Sequence, residues 1–391
     1  MRRRLGWILL AVVAAVLVFH LAGGWYFSGV LHERALSGSA RRASLDLDPD
    51  LTVVGVEGDT IVLRADDGTD APSGLARDGV WGLRWEDGAG LVREVLRAND
   101  DGVARDFELL VGDPPAAGQA AELDPRVYPD PQAAGVDAED VTVQGPLGQD
   151  PAWYVEGDRE TWIVVVHGNS MSRLDNVRWL PSLRRAGFPT LTITYRNDAG
   201  APPDPSGLLR YGLTEWADLE AAVRYALDAG ADRVVLFGDS MGGGVISAFL
   251  QRSELTPYVE ALVLDAPMLD FGATVDDNAA REPLVGPIDV PPTLTTTAKW
   301  LASMRYDVDW DGLDYLTDTA IFDVPTLVLH GVDDRTIPIS TSRALAAAEP
   351  GTVTLVECPG ADHIECWNVD PVAAEGRVVA FLDAVTRDAA T

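Results

Sequence analysis

The first apolar pattern in the chain is a single unbroken run. From Leu5 to Gly24 every residue is apolar or small except His20, and Arg2, Arg3 and Arg4 precede it. A stretch of about 20 such residues is long enough to cross a bilayer core of ~30 Å. Trp7, Trp25, Tyr26 and Phe27 flank it, as interfacial aromatics do. A cleaved signal peptide has a shorter apolar centre and a small-residue cleavage site, which Gly38-Ser39-Ala40 matches poorly. Residues 1–30 are therefore read as an uncleaved transmembrane anchor. The leading arginines favour a cytoplasmic N-terminus and an extracytoplasmic body, against an opposing bias from Arg34, Arg41 and Arg42.

From 48 to 130 the pattern shortens and its period falls to two. Thr52–Val56 and Thr60–Leu63 are rich in β-branched residues and are separated by Glu57-Gly58-Asp59. Trp81–Trp85 alternates, meets the turn Asp87-Gly88, and Leu91–Leu96 can pair back as a hairpin. This predicts a small β-rich, barrel-like domain that ends in a Pro/Asp-rich linker between Asp113 and Pro131.

From 136 to 391 strand-like and helix-like segments alternate. Trp162–Val166, Thr190–Tyr195, Val234–Phe237, Ala261–Leu264, Thr326–Leu329 and Val353–Val356 are short continuous apolar or β-branched runs, the signature of strands buried on both faces. Between them lie helical stretches at Glu215–Ala229 and Met241–Arg252, and a last one from Pro371 to about Arg387. Such alternation predicts an α/β fold with a mostly parallel sheet covered on both faces. The alternation fails at 268–323, where a helix near Thr295–Met304 and Trp300, Tyr306, Trp310 and Tyr315 suggest a cap over the strand ends. The aspartates of that segment argue against a deep lipid tunnel beneath it.

Charge narrows the range of functions. Asp and Glu number 61 against 30 Lys and Arg, a formal net charge of −31. A surface of that sign repels phosphate backbones, so nucleic acid is excluded as a partner. The only two cysteines, Cys358 and Cys366, bracket His363. Outside the cytoplasm they can form a disulfide, and a lone pair of cysteines makes no zinc site.

Gly238-Asp239-Ser240-Met241-Gly242 fits Gly-x-Ser-x-Gly, and its context sharpens a motif that is weak alone. It follows the Val234–Phe237 run directly and opens a helical stretch, the strand–turn–helix of a nucleophile elbow. Ser240 then needs a base near neutral pH. Of five histidines, His20 lies in the anchor, His32 follows it, and His167 and His330 each end a strand before a glycine. His363 remains, between the last strand and the last helix. Asp333 and Asp334, after the penultimate strand, can supply the acid that orients it, with Asp265 as the alternative. The order Ser, Asp, His is that of this elbow. An oxyanion hole requires two backbone N–H groups: Met241 supplies one by position, and Asn169, after His167-Gly168, is the choice for the other. Gly168-Asn169-Ser170-Met171 begins like an elbow, but Ser172 stands where a glycine should close it.

With these residues in place the chain from 140 to 388 resembles an α/β-hydrolase. His167-Gly168, Gly238–Gly242, His330-Gly331-Val332-Asp333-Asp334 and His363 match that family's signatures in order. Tyr195-Arg196-Asn197-Asp198 and Gly212–Glu220 are similar to membrane-anchored hydrolases of actinobacteria and to the serine aminopeptidase-like branch. The resemblance implies the α/β-hydrolase fold and selects Asp334 as the acid through the spacing His-Gly-x-x-Asp. It implies hydrolysis of an ester or other acyl bond of a small-molecule substrate through an acyl-serine, with no metal or organic cofactor required. A serine peptidase and a catalytically silent binding protein are the alternatives.

Overall fold

The computed structural model describes residues 2–38, 47–66, 74–169, 172–285 and 288–386. Ser39, Ala40, Arg41, Arg42, Ser170 and Met171 lie outside them. The opening apolar run forms one helix, α1 (Arg2–Leu31), which is long and apolar enough to span a membrane. Trp7, Ile8, Leu9, Val12, Leu17 and Phe19 along it are exposed. Below Phe19 the helix does not simply end as an anchor. It continues into the body of the protein and packs there.

The period-two segments close into a barrel. Strands β1 (Leu51–Glu57), β2 (Thr60–Ala65), β3 (Trp81–Trp85), β4 (Gly88–Asn99), β5 (Gly102–Gly112) and β6 (Ala120–Asp124) run in the order β1-β2-β5-β4-β3-β6. All pairs are antiparallel, and β1 joins β6 at Leu51↔Ala121. Closure leaves no open edge. Alternate residues, among them Leu51, Val53, Ile61, Leu63, Trp81 and Leu83, fill the interior.

The remaining strands are β7 (Glu139–Gln144), β8 (Gln149–Val155), β9 (Thr161–Val166), β10 (Thr190–Ile193), β11 (Arg233–Asp239), β12 (Val259–Asp265), a separate hairpin of β13 (Pro283–Val285) and β14 (Ile288–Asp289), then β15 (Thr326–Gly331) and β16 (Val353–Cys358). Eight of them form one sheet in the order β16-β15-β12-β11-β9-β10-β8-β7, parallel from β16 to β10 with β8 and β7 antiparallel at the edge. The helices are α2 (Leu180–Arg185), α3 (Trp216–Asp228), α4 (Met241–Arg252), α5 (Phe271–Arg281), α6 (Pro292–Tyr306), α7 (Ile339–Ala348), α8 (Cys366–Val369) and α9 (Pro371–Val385). Continuous apolar strands serve both faces at once. Val164, Leu236, Leu262 and Val328 point to one core with α3 and α4, while Val165, Phe237, Val263 and Leu329 point to the other with α9. This is the α/β-hydrolase fold, preceded by an apolar helix and a small antiparallel β unit.

Two contacts tie the extra elements to this sheet. The barrel docks beside α8: Val80 N–H donates to Asn368 O at 2.7 Å, and Asn368 Nδ2 donates to Val80 O at 2.9 Å and Pro125 O at 3.0 Å. Arg77 pairs with Glu365 across the same seam. Meanwhile α6 lies along the end of α1. A Cβ on Gly23 would fall 2.8 Å from Leu294, and one on Gly24 would fall 2.8 Å from Thr297, so glycine is what lets these helices close. The Arg305 guanidinium sits 3.7 Å from the Trp25 ring centre, and His32 stacks on Tyr306 at 4.5 Å. Segment 268–323 thus holds α5, the small hairpin, α6 and short 3₁₀ turns.

Candidate active site

Between the last residue of β11 and the first of α4 stands Ser240 alone. The chain has to reverse within that one residue, and Ser240 takes φ 50° and ψ −117°, a region a side-chain-bearing residue rarely adopts. Its neighbours hold it there. Its N–H donates to Asp265 O at 2.9 Å, and its carbonyl accepts from Gly243 N–H and Met268 N–H, each at 2.9 Å. The flanking glycines are a steric requirement: a Cβ on Gly242 would lie 2.2 Å from Val166 O, and one on Gly238 would lie 2.5 Å from Ile246 Cδ1.

His363 comes to this serine on the loop after β16, which the Cys358–Cys366 disulfide closes. His363 Nε2 lies 2.9 Å from Ser240 Oγ, and Nδ1 lies 2.8 Å from Asp334 Oδ2. Asp334 Oδ1 accepts N–H groups from Thr336 at 2.7 Å and Ile337 at 2.8 Å. Burial works to raise this carboxyl, but hydrogen bonds from His330 and His363 outweigh it and hold Asp334 well below the usual carboxylate range. Asp333, one residue earlier, is exposed, and its N–H donates to Ala361 O at 3.0 Å.

Asp265 behaves differently. It is fully buried, and among the described residues its carboxylate oxygens find no hydrogen-bond partner. Burial pushes it up to about 6, partly offset by the charge of Arg178. Asp239 is its register partner on β11 and is likewise raised, by burial first and then by Asp265. Strand alternation could have exposed this pair, since each aspartate ends its strand inside an otherwise apolar run.

Other sequence candidates settle into supporting positions. His330 is the penultimate residue of β15; its Nδ1 lies 2.8 Å from Ser342 Oγ, and its Nε2 lies 3.2 Å from Asp334 Oδ2. Its contact with Asp334 was not legible in the sequence, where it read only as ending a strand before a glycine. His167 Nε2 lies 2.8 Å from Asp198 Oδ2, and its ring stacks on Tyr195. The segment Tyr195–Asp198 therefore braces the loop after β9. Arg196 in the same segment donates to Asp218 at 2.6 Å and Asp204 at 3.1 Å, which ties in α3. Asn169 borders the same cavity as Ser240. Its Nδ2 donates to Tyr211 Oη at 3.0 Å, and Tyr211 Oη donates to Ala35 O at 3.0 Å. Met241 opens α4 directly after the serine.

Above these residues lies a cavity of about 1360 Å³. Ser240, His363 and Asn169 border it; most of the remaining lining comes from α1 and the turn after it, from segment 268–323 and from the barrel edge at 122–126, with Asp175, Tyr211, Ile364 and residues 335–337 completing it. Among the described residues no aspartate of 268–323 lines it; Asp276, Asp289, Asp307, Asp309 and Asp311 are exposed.

Comparison with known proteins gives the same fold. The model of the Alpha/beta hydrolase family matches residues 163–375. An uncharacterized protein of Mycobacterium tuberculosis, Rv2307c, is 28% identical over 274 residues, which cover 67% of this chain and 84% of that protein. Protein ABHD12B of Homo sapiens is 27% identical over 208 residues, 51% of this chain and 53% of the relative. Among solved structures, the Pyrococcus furiosus esterase Pf2001 is similar with a TM-score of 0.51 at 19% identity, over 66% of this chain and 97% of that one.

Proposed function

The chain belongs to the alpha/beta hydrolase family, and from that premise we propose that it is a serine hydrolase that cleaves an ester or other acyl bond through an acyl-serine intermediate. The observation that carries this reading is the continuous path Ser240–His363–Asp334 at 2.9 and 2.8 Å. Ser240 Oγ attacks the acyl carbon as His363 Nε2 takes its proton. Asp334 keeps the His363 proton on Nδ1 and stabilises the imidazolium. The N–H groups of Met241 and Asn169 receive the developing oxyanion. Water then repeats the sequence on the acyl-serine, with His363 as its base.

Segment 268–323 acts as the cap that limits what reaches Ser240. We place the catalytic body outside the cytoplasm, a reading supported by the arginines before α1 and by the Cys358–Cys366 bond, which an oxidising compartment favours.

The test is a panel of p-nitrophenyl esters of graded chain length, with aminoacyl amides alongside, run on the full-length protein and on Ser240→Ala. Ester turnover that Ser240→Ala abolishes supports the reading. Turnover that survives the substitution contradicts it.

A further inference from the structure

The cavity has an unusual wall. Gly23, Tyr26, Phe27, Val30, Leu31, Arg34 and Ala35 all line it, and they recur every three or four residues along α1 and the turn after it. That spacing is one face of a helix. The same helix carries the exposed apolar run, and Gly23 belongs to the last turn of that run. The cavity that holds Ser240 therefore extends to the level at which α1 leaves a bilayer.

Tyr26, Phe27, Val30 and Leu31 of α1 and Phe271, Val275, Val290 and Ala298 of the cap give the cavity apolar or aromatic walls, which the Arg34–Glu282 pair and Asn278, Arg281 and Lys299 interrupt. The barrel edge contributes Glu122, Asp124 and Arg126, and Arg126 Nε donates to Asp124 at 2.8 Å. Apolar walls beside charged and polar groups suit an amphiphile. At about 1360 Å³ the space exceeds the roughly 300–1,000 Å³ of an ordinary small-molecule pocket. Resting on the acyl-hydrolase reading above, we propose that the end of the anchor helix is a wall of the acyl pocket and that the substrate is a long-chain acyl ester drawn from the bilayer. The chain lies between α1 and the cap, and the polar leaving group lies toward the barrel edge. None of the described aspartates of 268–323, which argued against a lipid site, lines the cavity.

The full-length protein in phosphatidylcholine vesicles tests this with p-nitrophenyl butyrate and p-nitrophenyl palmitate. Val30→Trp fills the pocket side of α1. It should lower the palmitate-to-butyrate ratio of kcat/KM by about tenfold or more, since single methylene-sized changes in an apolar pocket already reach that scale. Val30→Ala, milder and less disruptive of packing, should move the ratio in the long-chain direction. Gly29→Leu adds its side chain where nothing lies within 4 Å and should leave the ratio at the wild-type value. A fluorogenic long-chain ester placed in the protein's own vesicles should be cleaved several-fold faster or more than the same ester in separate vesicles, since sharing one bilayer raises its effective concentration at the cavity. An unchanged ratio in both Val30 variants, or equal rates from the two vesicle populations, overturns the proposal while butyrate turnover still upholds the acyl-hydrolase reading. Absence of Ser240-dependent turnover of either ester overturns both.

Discussion

Replacing Asp334 with asparagine is the substitution whose outcome the geometry constrains most tightly. Asparagine keeps the shape, and its Oδ1 can go on accepting from Thr336 and Ile337 at 2.7 and 2.8 Å. What changes is the atom 2.8 Å from His363 Nδ1, which turns from an acceptor into an N–H donor. His363 can meet a donor there only with its proton moved to Nε2, and it then cannot accept from Ser240 at 2.9 Å. The negative charge beside the imidazolium is lost as well. The comparable change in the well-studied serine proteases lowers kcat by about 10⁴-fold, or about 5 kcal/mol of barrier at 1.36 kcal/mol per decade. The assay is kcat for a short-chain ester at equal folded concentration, with thermal melts to show that each variant folds. Asp333→Asn and Asp265→Asn serve as neighbours, since one carboxylate is exposed and the other, among the described residues, accepts no hydrogen bond from an imidazole. Each should stay within about threefold of wild type, on the scale of a lost peripheral contact. An Asp334→Asn enzyme that retains most of its activity, or an Asp265→Asn enzyme that loses it, refutes the argument.

Other consequences are independent of turnover. Burial raises Asp265 from 3.8 to about 6, so between those values the folded protein holds a proton that the unfolded chain has released. The resulting stability is full below pH 3.8 and lost as pH rises through 6. Asp265→Asn should therefore gain on wild type by about 1–3 kcal/mol between pH 4 and pH 7.5 in denaturant melts, and parallel curves would contradict this. Replacing Cys358 and Cys366 by alanine should lower stability by about 2–3 kcal/mol, the loop-closure value for so short a ring, measured the same way. Gly242→Ala places a Cβ 2.2 Å from Val166 O; expression should yield little folded protein, with a cost of about 3 kcal/mol or more.

The sequence carried the hydrolase body well because its signals are local. A buried parallel strand is a short apolar run, and a nucleophile elbow must place glycine on either side of Ser240. His363 was singled out because so few histidines compete for the role, and the choice between Asp333 and Asp334 rested on a family spacing. Tertiary encounters were not legible. Nothing in the run Leu5–Gly24 signals that its helix continues along α6, because Gly23 and Gly24 read as ordinary small residues in an apolar segment. The contact of His330 with Asp334 is equally silent, since both residues looked complete with other partners. The aspartates of 268–323 are silent for a related reason: composition reports how many charges a segment has, but not that none of the described ones lines the cavity.

The central claim is that Ser240 is an activated nucleophile served by His363. It is tested most directly by treating the full-length protein in vesicles with a fluorophosphonate and mapping the adduct by mass spectrometry. The account predicts one phosphonylated residue, Ser240, with labelling lost in Ser240→Ala and strongly slowed in His363→Ala. A folded wild-type protein that takes up no label, or a Ser240→Ala protein labelled to the same extent, would contradict it.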